Sequence, residues 1–128
     1  MCDYNYEGEF RKKHNFENRK RESKRVMETY DSRIPIIVEN DKHSNLPLMD
    51  KRKYLVPDDM TVGQFSYVIR KRMKIKPEIA IYLFFNQNLE PTAAHIKDVY
   101  PKHKHPDGFL YIVVCAEKTF GNSKFVIV

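Results

Sequence analysis

The strongest hydrophobic pattern in the chain is a continuous apolar run at residues 109–116, which the turn signal Pro106, Asp107 and Gly108 precedes. A short run that is rich in aromatic and β-branched residues is typical of a strand buried on both faces. We therefore predict a strand in the middle of a sheet. A polar tail with a single glycine, Gly121, follows this strand.

The first thirty residues show a different pattern, with charges alternating around sparse apolar positions. Residues 1–15 predict a short helix with a loose end, because Gly8 weakens any longer helix. Residues 16–30 carry a narrow apolar stripe along an otherwise charged helix, which indicates one packed face and one solvated face. The stripe predicts that this second helix packs against the rest of the chain.

Two strands joined by a long loop are predicted next. Residues 33–39 form the first strand, and Pro35 near its start cannot donate a ladder hydrogen bond, so we expect an open sheet edge or a bulge there. Residues 40–50 are rich in turn formers and show no periodicity. Residues 51–57 alternate into the second strand, which ends at Pro57.

The best-defined helix of the chain begins after Thr61. Thr61 and Gln64 have the spacing of a capping box, and apolar residues follow at helical spacing as far as Met73. Residues 79–85 then predict a third strand, and residues 86–88 predict a turn.

The remaining segment predicts a short helix that Thr92 caps and that ends at Tyr100, because Pro101 stops it. The order strand, strand, helix, strand, short helix, strand has one compact α+β solution, the ubiquitin-like β-grasp. In that fold the first and last strands lie side by side in the middle of a mixed sheet over the helix at 61–73. The two N-terminal helices are an addition, and we expect them to flank a groove.

Composition adds limits on size and partners. The 128 residues are enough for one domain with one core. The net charge of +6 and the pI near 9.3 favour acidic partners, whether nucleic acid, anionic lipid or acidic peptide. Cys2 and Cys115 show no metal-ligand spacing. No apolar run approaches the roughly 20 residues of a membrane-spanning helix.

Several motifs together resemble the autophagy ubiquitin-like modifiers, the family of the GABA-receptor-associated protein and the microtubule-associated light chain. The match runs from about residue 10 to Gly121, and a set of motifs in one register is more specific than any single motif. The motifs that carry it are residues 16–19, 33–39, 51–57, 61–65, 69–72 and 119–121.

The resemblance implies a cytosolic precursor with a helical extension at 1–30, a β-grasp domain at 31–121 and a propeptide at 122–128. A processing cysteine protease would remove the propeptide after Gly121. Activating and conjugating enzymes would then carry Gly121 as a thioester and join it to phosphatidylethanolamine on autophagosomal and other vesicle membranes. Phe120 and Gly121 would form the cleavage and conjugation site. The chain would be no enzyme and would need no cofactor beyond the covalent lipid.

The tail residues themselves fit this chemistry. Glycine lacks a Cβ, so Gly121 can pass through narrow enzyme channels and leaves its carbonyl open to attack. Taken alone, a tail glycine is only a flexible residue, but Thr119 and Phe120 before it and the predicted fold favour the conjugation site. The apolar end at residues 125–128 would be an aggregation liability in a mature protein, which agrees with its removal.

The resemblance also implies a docking surface for cargo receptors and adaptors that carry an acidic aromatic-x-x-aliphatic motif. The extended peptide would add itself beside the strand at 33–38, and its two apolar side chains would fill two pockets. By the resemblance, pocket 1 would be formed by Glu22, Val26, Pro35, Lys53, Leu55 and Phe109. Pocket 2 would be formed by Tyr54, Val56, Pro57, Met60, Phe65 and Val68. The contacts to acidic residues would be made by Arg33, Lys51 and Arg72.

Simpler explanations remain open for parts of this surface. Core packing accounts for some of the apolar positions on the helix at 61–73, and the basic residues 51–53 fit a solvated strand face. Val26 and Met60 are smaller or less branched than is common in the family, and residues 102–105 are basic where relatives are often acidic. Partner preference therefore stays open.

Two further function classes compete with the conjugated modifier. One is an unconjugated cytosolic adaptor for cytoskeletal or trafficking partners, with tubulin as an example. The other is a basic nucleic-acid binder, which is the weakest because its aromatic residues are not interleaved with basic ones along one exposed strand. His103 and His105 predict solvated loop side chains rather than metal ligands, since no further ligand lies in register.

Overall fold

The structure is a computed structural model that describes residues 8–41, 44, 46–47 and 52–117. In these described residues, four helices and four strands follow one another in the order that the hydrophobic pattern predicts. They are α1 (Glu9–Lys13), α2 (Phe16–Thr29), β1 (Arg33–Asn40), β2 (Lys53–Pro57), α3 (Val62–Met73), β3 (Ile81–Phe85), α4 (Ile96–His103) and β4 (Leu110–Ala116).

The four strands form one mixed sheet in the order β2-β1-β4-β3. β1 and β4 run parallel in the middle, while β2 and β3 pair antiparallel at the two sides. The predicted central position of the last apolar run is therefore confirmed, as is the α+β fold class with parallel first and last strands.

Both faces of the sheet are covered, because the side chains of β1 alternate between the two faces and are buried on both. Ile34 and Ile36 belong to the large apolar core that the sheet shares with α3. Ile37 points to the other face and packs with Phe10 of α1 and with Phe109. All three isoleucines are buried. The sheet thus separates an α3 side from an α1–α2 side.

The prediction of an open edge along β1 is wrong, because β2 and β4 cover its two sides. The N–H of Val38 donates to the carbonyl of Arg52 at 2.9 Å, so even-numbered residues of β1 bond to β2. The missing donor of Pro35 therefore points to the β4 side, where pairing begins only at Ile36 opposite Leu110. Pro35 removes no ladder hydrogen bond, and the open edge beside β1 belongs to β2.

α3 begins with the predicted capping box. The N–H of Gln64 donates to the Thr61 hydroxyl at 3.1 Å, and the N–H of Thr61 donates to the Gln64 side chain at 2.9 Å. The helix ends at Lys74, whose φ of 55° gives a left-handed C-cap. The two reciprocal bonds satisfy N–H groups that a helix start otherwise leaves unpaired.

α4 begins later than predicted and does not have Thr92 as its cap. The N–H groups of Ile96 and Lys97 donate to the carbonyls of Met60 and Asp58, each at 2.9 Å. The loop before α3 thus satisfies the first turn of α4, a tertiary contact that the local sequence does not reveal. Helix starts need such partners for their first N–H groups.

The prediction that Pro101 stops the short helix is also wrong, since the helix continues to His103. Proline removes one N–H from the helix ladder. The N–H of Lys104 nevertheless donates to the carbonyl of Tyr100 at 2.8 Å, so the next turn still closes. A single missing donor is tolerated near the end of this short helix.

The two predicted N-terminal helices are present, but Gly8 has a different role from the one expected. A Cβ at Gly8 would lie about 2 Å from the carboxylate of Glu39 on β1. The same carboxylate accepts a hydrogen bond from the N–H of Phe10 at 3.3 Å. Gly8 therefore allows the start of α1 to approach the sheet closely. None of the helices in the described ranges has the length and apolar content that crossing a membrane requires.

Candidate functional site

The open edge of β2 is the centre of the candidate site. Residues 52, 54 and 56 turn their backbone groups toward β1, so those of Lys53 and Leu55 point away from the sheet. Pro57 ends the edge because it has no N–H to offer. Arg33 reaches around from β1, and its Nη1 lies 3.3 Å from the Leu55 carbonyl oxygen. A short edge of this kind can accept an extended segment.

Residues of pocket 1 lie on the α1–α2 side of this edge. Pro35 stands opposite Leu55 in the β1–β2 ladder, so both side chains are on the same face. The ammonium of Lys53 lies 2.9 Å from the carboxylate of Glu22, which joins β2 to α2 across this face. Phe109 lies in the same layer and is buried. Val26, half-buried, follows Glu22 by one helical turn.

A groove of about 630 Å³ between the end of β2 and α3 corresponds to pocket 2. Three of the six predicted residues line it: Pro57, Met60 and Val68. The other three do not line the groove and belong to the core or its margin: Tyr54, Val56 and Phe65. The Tyr54 ring meets the Phe65 ring edge-on with 5.7 Å between centroids. These three side chains support the groove from inside.

Sequence reasoning missed four residues of this groove: Asp59, Gly63, Gln64 and Tyr67. Tyr67 is 60% exposed, although it is large and aromatic. Helical spacing could have found it, because Gly63, Tyr67 and Val68 recur along one side of α3. Apolar spacing alone indicates the buried side of the helix instead.

The structure describes two of the three residues that were predicted to contact acidic side chains of a peptide. Arg33 and Arg72 are exposed, the first beside the β2 edge and the second in the last turn of α3. Lys51 lies outside the described residues, as do Phe120, Gly121 and residues 122–128. The described chain ends just after β4, where the N–H of Glu117 donates to the carbonyl of Ala80 at 2.9 Å.

A buried polar network that the sequence did not reveal fixes α2 to the β-grasp. Asp107, fully buried, accepts from Arg19 of α2 at 2.5 Å and from the Tyr111 hydroxyl at 2.6 Å. Its other carboxylate oxygen accepts from the N–H of Phe109 at 2.9 Å. Ser23 of α2 donates to the Asp107 backbone carbonyl. The network holds α2, which carries Glu22 and Val26, in position beside β2.

The environment of this network shifts the pKa values of several groups, including Tyr111 and His105. Burial raises the pKa of Tyr111, and the hydrogen bond that its hydroxyl donates to Asp107 raises that pKa further. Burial lowers the pKa of His105 below 6.5, and the positive charges of Arg11 and Arg19 lower it too, while Asp107 acts in the opposite direction. The Nδ1 of His105 accepts from the N–H of Asp107 at 3.1 Å, a contact that the neutral ring provides.

The prediction that His103 and His105 are solvated is wrong. The Nε2 of His103 lies 2.8 Å from the Glu90 carboxylate. Only 10% of the His103 side chain and 10% of the Glu90 side chain are exposed. The hydrogen bond from His103 lowers the pKa of Glu90. Within the described ranges, no three potential ligands among histidine, cysteine and acidic residues come together around a metal-sized site. Both histidines have structural contacts with acids.

We expect acidification from pH 7.5 to 5.5 to destabilise the protein, and His105→Asn to reduce that loss. Because the folded pKa of His105 is below its unfolded value, the unfolded chain binds the extra proton in this range, and stability falls as pH decreases. Glu90, whose pKa is also lowered, contributes only at lower pH. Urea unfolding at the two pH values measures the difference.

The exposed His95→Asn variant is the matched control and should keep the wild-type pH dependence. Asparagine at position 105 retains an acceptor for the N–H of Asp107, so the variant separates titration from a lost contact. Equal pH dependence in wild type and His105→Asn would contradict the assignment.

The comparisons with known proteins agree with this geometry. The family model described as "Autophagy protein Atg8 ubiquitin like" matches residues 18–121. The chain is 53% identical over 113 residues to Autophagy-related protein 8 of Vanderwaltozyma polyspora, covering 88% of this chain and 96% of that protein. It is 52% identical to the protein of the same name from Coccidioides immitis, covering 88% and 97%.

Two solved structures are also similar. The crystal structure of Trypanosoma brucei ATG8 has a TM-score of 0.83 at 38% identity and covers 88% of this chain and 97% of its own. Plasmodium falciparum Atg8, solved in complex with a P. falciparum Atg3 peptide, has a TM-score of 0.77 at 32% identity and covers 84% and 95%. In that relative, the same fold holds a peptide.

Proposed function

The chain belongs to the Atg8 family of ubiquitin-like autophagy proteins, and we propose that it docks extended peptides at the β2 edge and is anchored to membranes through Gly121. It is a ubiquitin-like modifier of autophagy. The family match ends at Gly121, the residue to which the tail chemistry assigns conjugation. Removal of residues 122–128 and transfer to phosphatidylethanolamine are parts of this proposal.

The observation that carries the docking proposal is the position of the two pockets relative to the β2 edge. Pro35 and Leu55 face the α1–α2 side, whereas Tyr54 and Val56 face the α3 side. Side chains of an added strand alternate between the faces of a sheet, so residues three apart point to opposite faces. An aromatic-x-x-aliphatic peptide along β2 would therefore place one apolar side chain at each pocket.

Charge supports an acidic peptide at this edge. Arg33 is exposed beside the Leu55 carbonyl, and Lys53 reaches Glu22 from the same side of the sheet. An incoming carboxylate would be attracted by Arg33 and would compete with Glu22 for Lys53. Exposed charge pairs are screened over about 10 Å at 0.1 M salt, so binding should weaken as salt rises.

The partners follow from the same surface. The P. falciparum relative binds an Atg3 peptide, and we infer that a peptide from the conjugating enzyme also docks on this chain. Cargo receptors and adaptors with acidic aromatic-x-x-aliphatic motifs would use the same edge in turn. The activating enzyme and the processing protease would act on the tail instead. Autophagosomal and other vesicle membranes would be the location of the conjugated form, and the cytoplasm that of the precursor.

A peptide titration tests the docking proposal. An acidic peptide with the motif should bind in the micromolar range, about −8 kcal/mol. Leu55→Ala should weaken binding about tenfold, because truncating a central anchor of an interface costs more than 1 kcal/mol. Val68→Ala, which opens the groove on the α3 side, should have a similar effect. Isothermal titration calorimetry gives both affinities.

The matched control lies on the other edge of the sheet. Tyr82 of β3 is 42% exposed, and Tyr82→Ala should leave the affinity unchanged. Urea unfolding of each variant shows whether the β-grasp remains intact. If Leu55→Ala and Tyr82→Ala bind the peptide equally well, the β2 edge is not the docking site.

A further inference from the structure

The end of α3 and the turn that follows it carry a dense group of exposed cations. We call Lys71, Arg72, Lys74 and Lys76 the α3 basic cluster; all four side chains are exposed. Within the described part of the chain, none of the four forms an ion pair with a carboxylate. Lys71 has one other contact, with its ammonium 5.3 Å from the centre of the Tyr67 ring. The cluster is a charged surface that the fold itself does not neutralise.

This cluster lies at the end of the sheet from which the tail leaves. Arg70, at its border, donates to the backbone carbonyls of Ile79 and Lys76 at 2.8 and 3.0 Å. The next carbonyl, that of Ala80, accepts from the N–H of Glu117 at 2.9 Å. The end of α3 and the last described residue of the chain thus both bond to the segment at 79–80, which precedes β3.

We propose that the α3 basic cluster contacts the anionic headgroups of the membrane to which Gly121 is anchored. The inference rests on the proposed conjugation through Gly121. Four residues beyond Glu117 span at most about 14 Å when fully extended. An anchored Gly121 therefore keeps the end of β4, and the α3 basic cluster beside it, within a short distance of the headgroups whatever the tail conformation.

The electrostatics favour an anionic surface. Residues 70–78 contain five basic side chains and one acidic one, Glu78. The net charge of this segment is thus 5 − 1 = +4. Lysine and arginine residues close to an anionic leaflet each strengthen its binding, and the effect falls off within a Debye length of about 8 Å at physiological salt. Anchoring brings the cluster into that range.

Three other basic residues lie at the opposite end of the fold. Lys20 and Lys24 flank Ser23, which bonds to Asp107 before the start of β4. Lys97 is held near Asp58 at the start of β1. The seven residues of β4 place these cations about 20 Å farther from the tail than the α3 basic cluster. They provide a control with the same change of net charge.

The test attaches the chain to vesicles without the conjugation enzymes. A chain that ends at Gly121 and continues into a hexahistidine segment binds vesicles of phosphatidylcholine that contain nickel-chelating lipid. We expect phosphatidylserine in the vesicles to tighten binding at least about tenfold. Replacing Lys71, Lys74 and Lys76 by Gln should abolish most of this gain, and replacing Lys20, Lys24 and Lys97 by Gln should retain it. Vesicle co-sedimentation at physiological salt gives the affinities.

Each alternative result overturns the inference. Equal losses in the two triple variants would show a response to net charge alone. The variant of Lys71, Lys74 and Lys76 could instead bind vesicles as the wild type does, while the conjugating enzyme transfers the variant chain more slowly in solution. That result would show that the cluster binds an acidic surface of the enzyme. Because nickel chelation replaces conjugation, the vesicle-binding outcomes do not depend on whether Gly121 is conjugated in cells.

Discussion

Replacing Asp107 by Asn should lower the free energy of unfolding by about 3–5 kcal/mol, because it leaves a buried guanidinium without its anion. Asp107 is fully buried, and Arg19 is only 9% exposed. Asparagine has nearly the same size and keeps an oxygen for the N–H of Phe109, so the loss reports the charge rather than a cavity. Urea unfolding measures the change.

The exposed Asp98 of α4 provides the control, since Asp98→Asn removes the same charge from the surface. A second variant, Arg19→Met with Asp107→Asn, removes both charges of the pair. It should recover part of the lost stability, because an unpaired buried charge costs more than the absence of the pair. Similar stability in Asp107→Asn and Asp98→Asn would show that the buried pair contributes little.

The same substitution should also weaken peptide docking on the α1–α2 side. Arg19 and Ser23 hold α2 to the loop before β4, and Glu22 and Val26 are carried by the same helix. A loosened α2 would leave pocket 1 incomplete, whereas pocket 2 lies on the far face of β2 and would persist. A peptide in which the side chain that fills pocket 1 is replaced by alanine should then lose little further affinity in Asp107→Asn.

Local patterns were sufficient for the elements of the fold and for their order. The apolar run at 109–116 identified the central strand, and Thr61 with Gln64 identified the start of α3. These signals are local because strand burial and helix capping depend on neighbouring residues. The parallel pairing of β1 with β4 then followed from the few ways in which such elements pack.

Features that depend on contacts distant in sequence could not be predicted in this way. Pro35 indicated an edge, but a missing donor does not show which neighbour stands on which side, and β2 proved to be the edge strand. Asp107 had the sequence context of a turn, and nothing local linked it to Arg19, 88 residues away. The start of α4 depended on carbonyls before α3 in the same way.

The residues of the candidate site show the same difference between what the sequence predicts and what only the structure reveals. The resemblance supplied the members of pocket 1 and pocket 2, and the structure distributes them over two faces of β2. It did not supply Tyr67 or Asp59 of the groove, because an exposed aromatic on a helix and an acid in a turn have no apolar spacing to reveal them. Peptide binding at pocket 1 and pocket 2 stays a prediction, which the titrations of Leu55→Ala and Val68→Ala test.

Replacing Gly121 by Ala should keep the protein in the cytosol during starvation, where we expect the wild type to become bound to membranes. The wild-type precursor should lose residues 122–128, which include Lys124, so that its formal charge changes from 23 − 17 = +6 to 22 − 17 = +5. The new carboxyl group of Gly121 then becomes the acyl donor. A methyl group at position 121 crowds the carbonyl that the protease and the thioester enzymes attack.

The expected loss of membrane-bound protein is large because the conjugated phospholipid is the membrane anchor. A phospholipid amine joined to Gly121 supplies two acyl chains, and each buried CH₂ contributes about 0.8 kcal/mol, so two chains anchor stably where one is marginal. Loss of conjugation should therefore remove nearly all of the membrane-bound fraction, whereas a variant of the peptide site such as Leu55→Ala should remain conjugated.

Two shortened chains separate cleavage from conjugation. A chain expressed to end at Gly121 should be conjugated without the protease, since its acyl donor is already exposed, and a chain that ends at Phe120 should not be conjugated at all. Intact mass spectrometry of protein from starved cells reports the loss of residues 122–128 and the added lipid in one measurement. Equal membrane-bound fractions in wild type and Gly121→Ala would refute conjugation at Gly121, because the only route that this chemistry provides to the membrane passes through that carboxyl group.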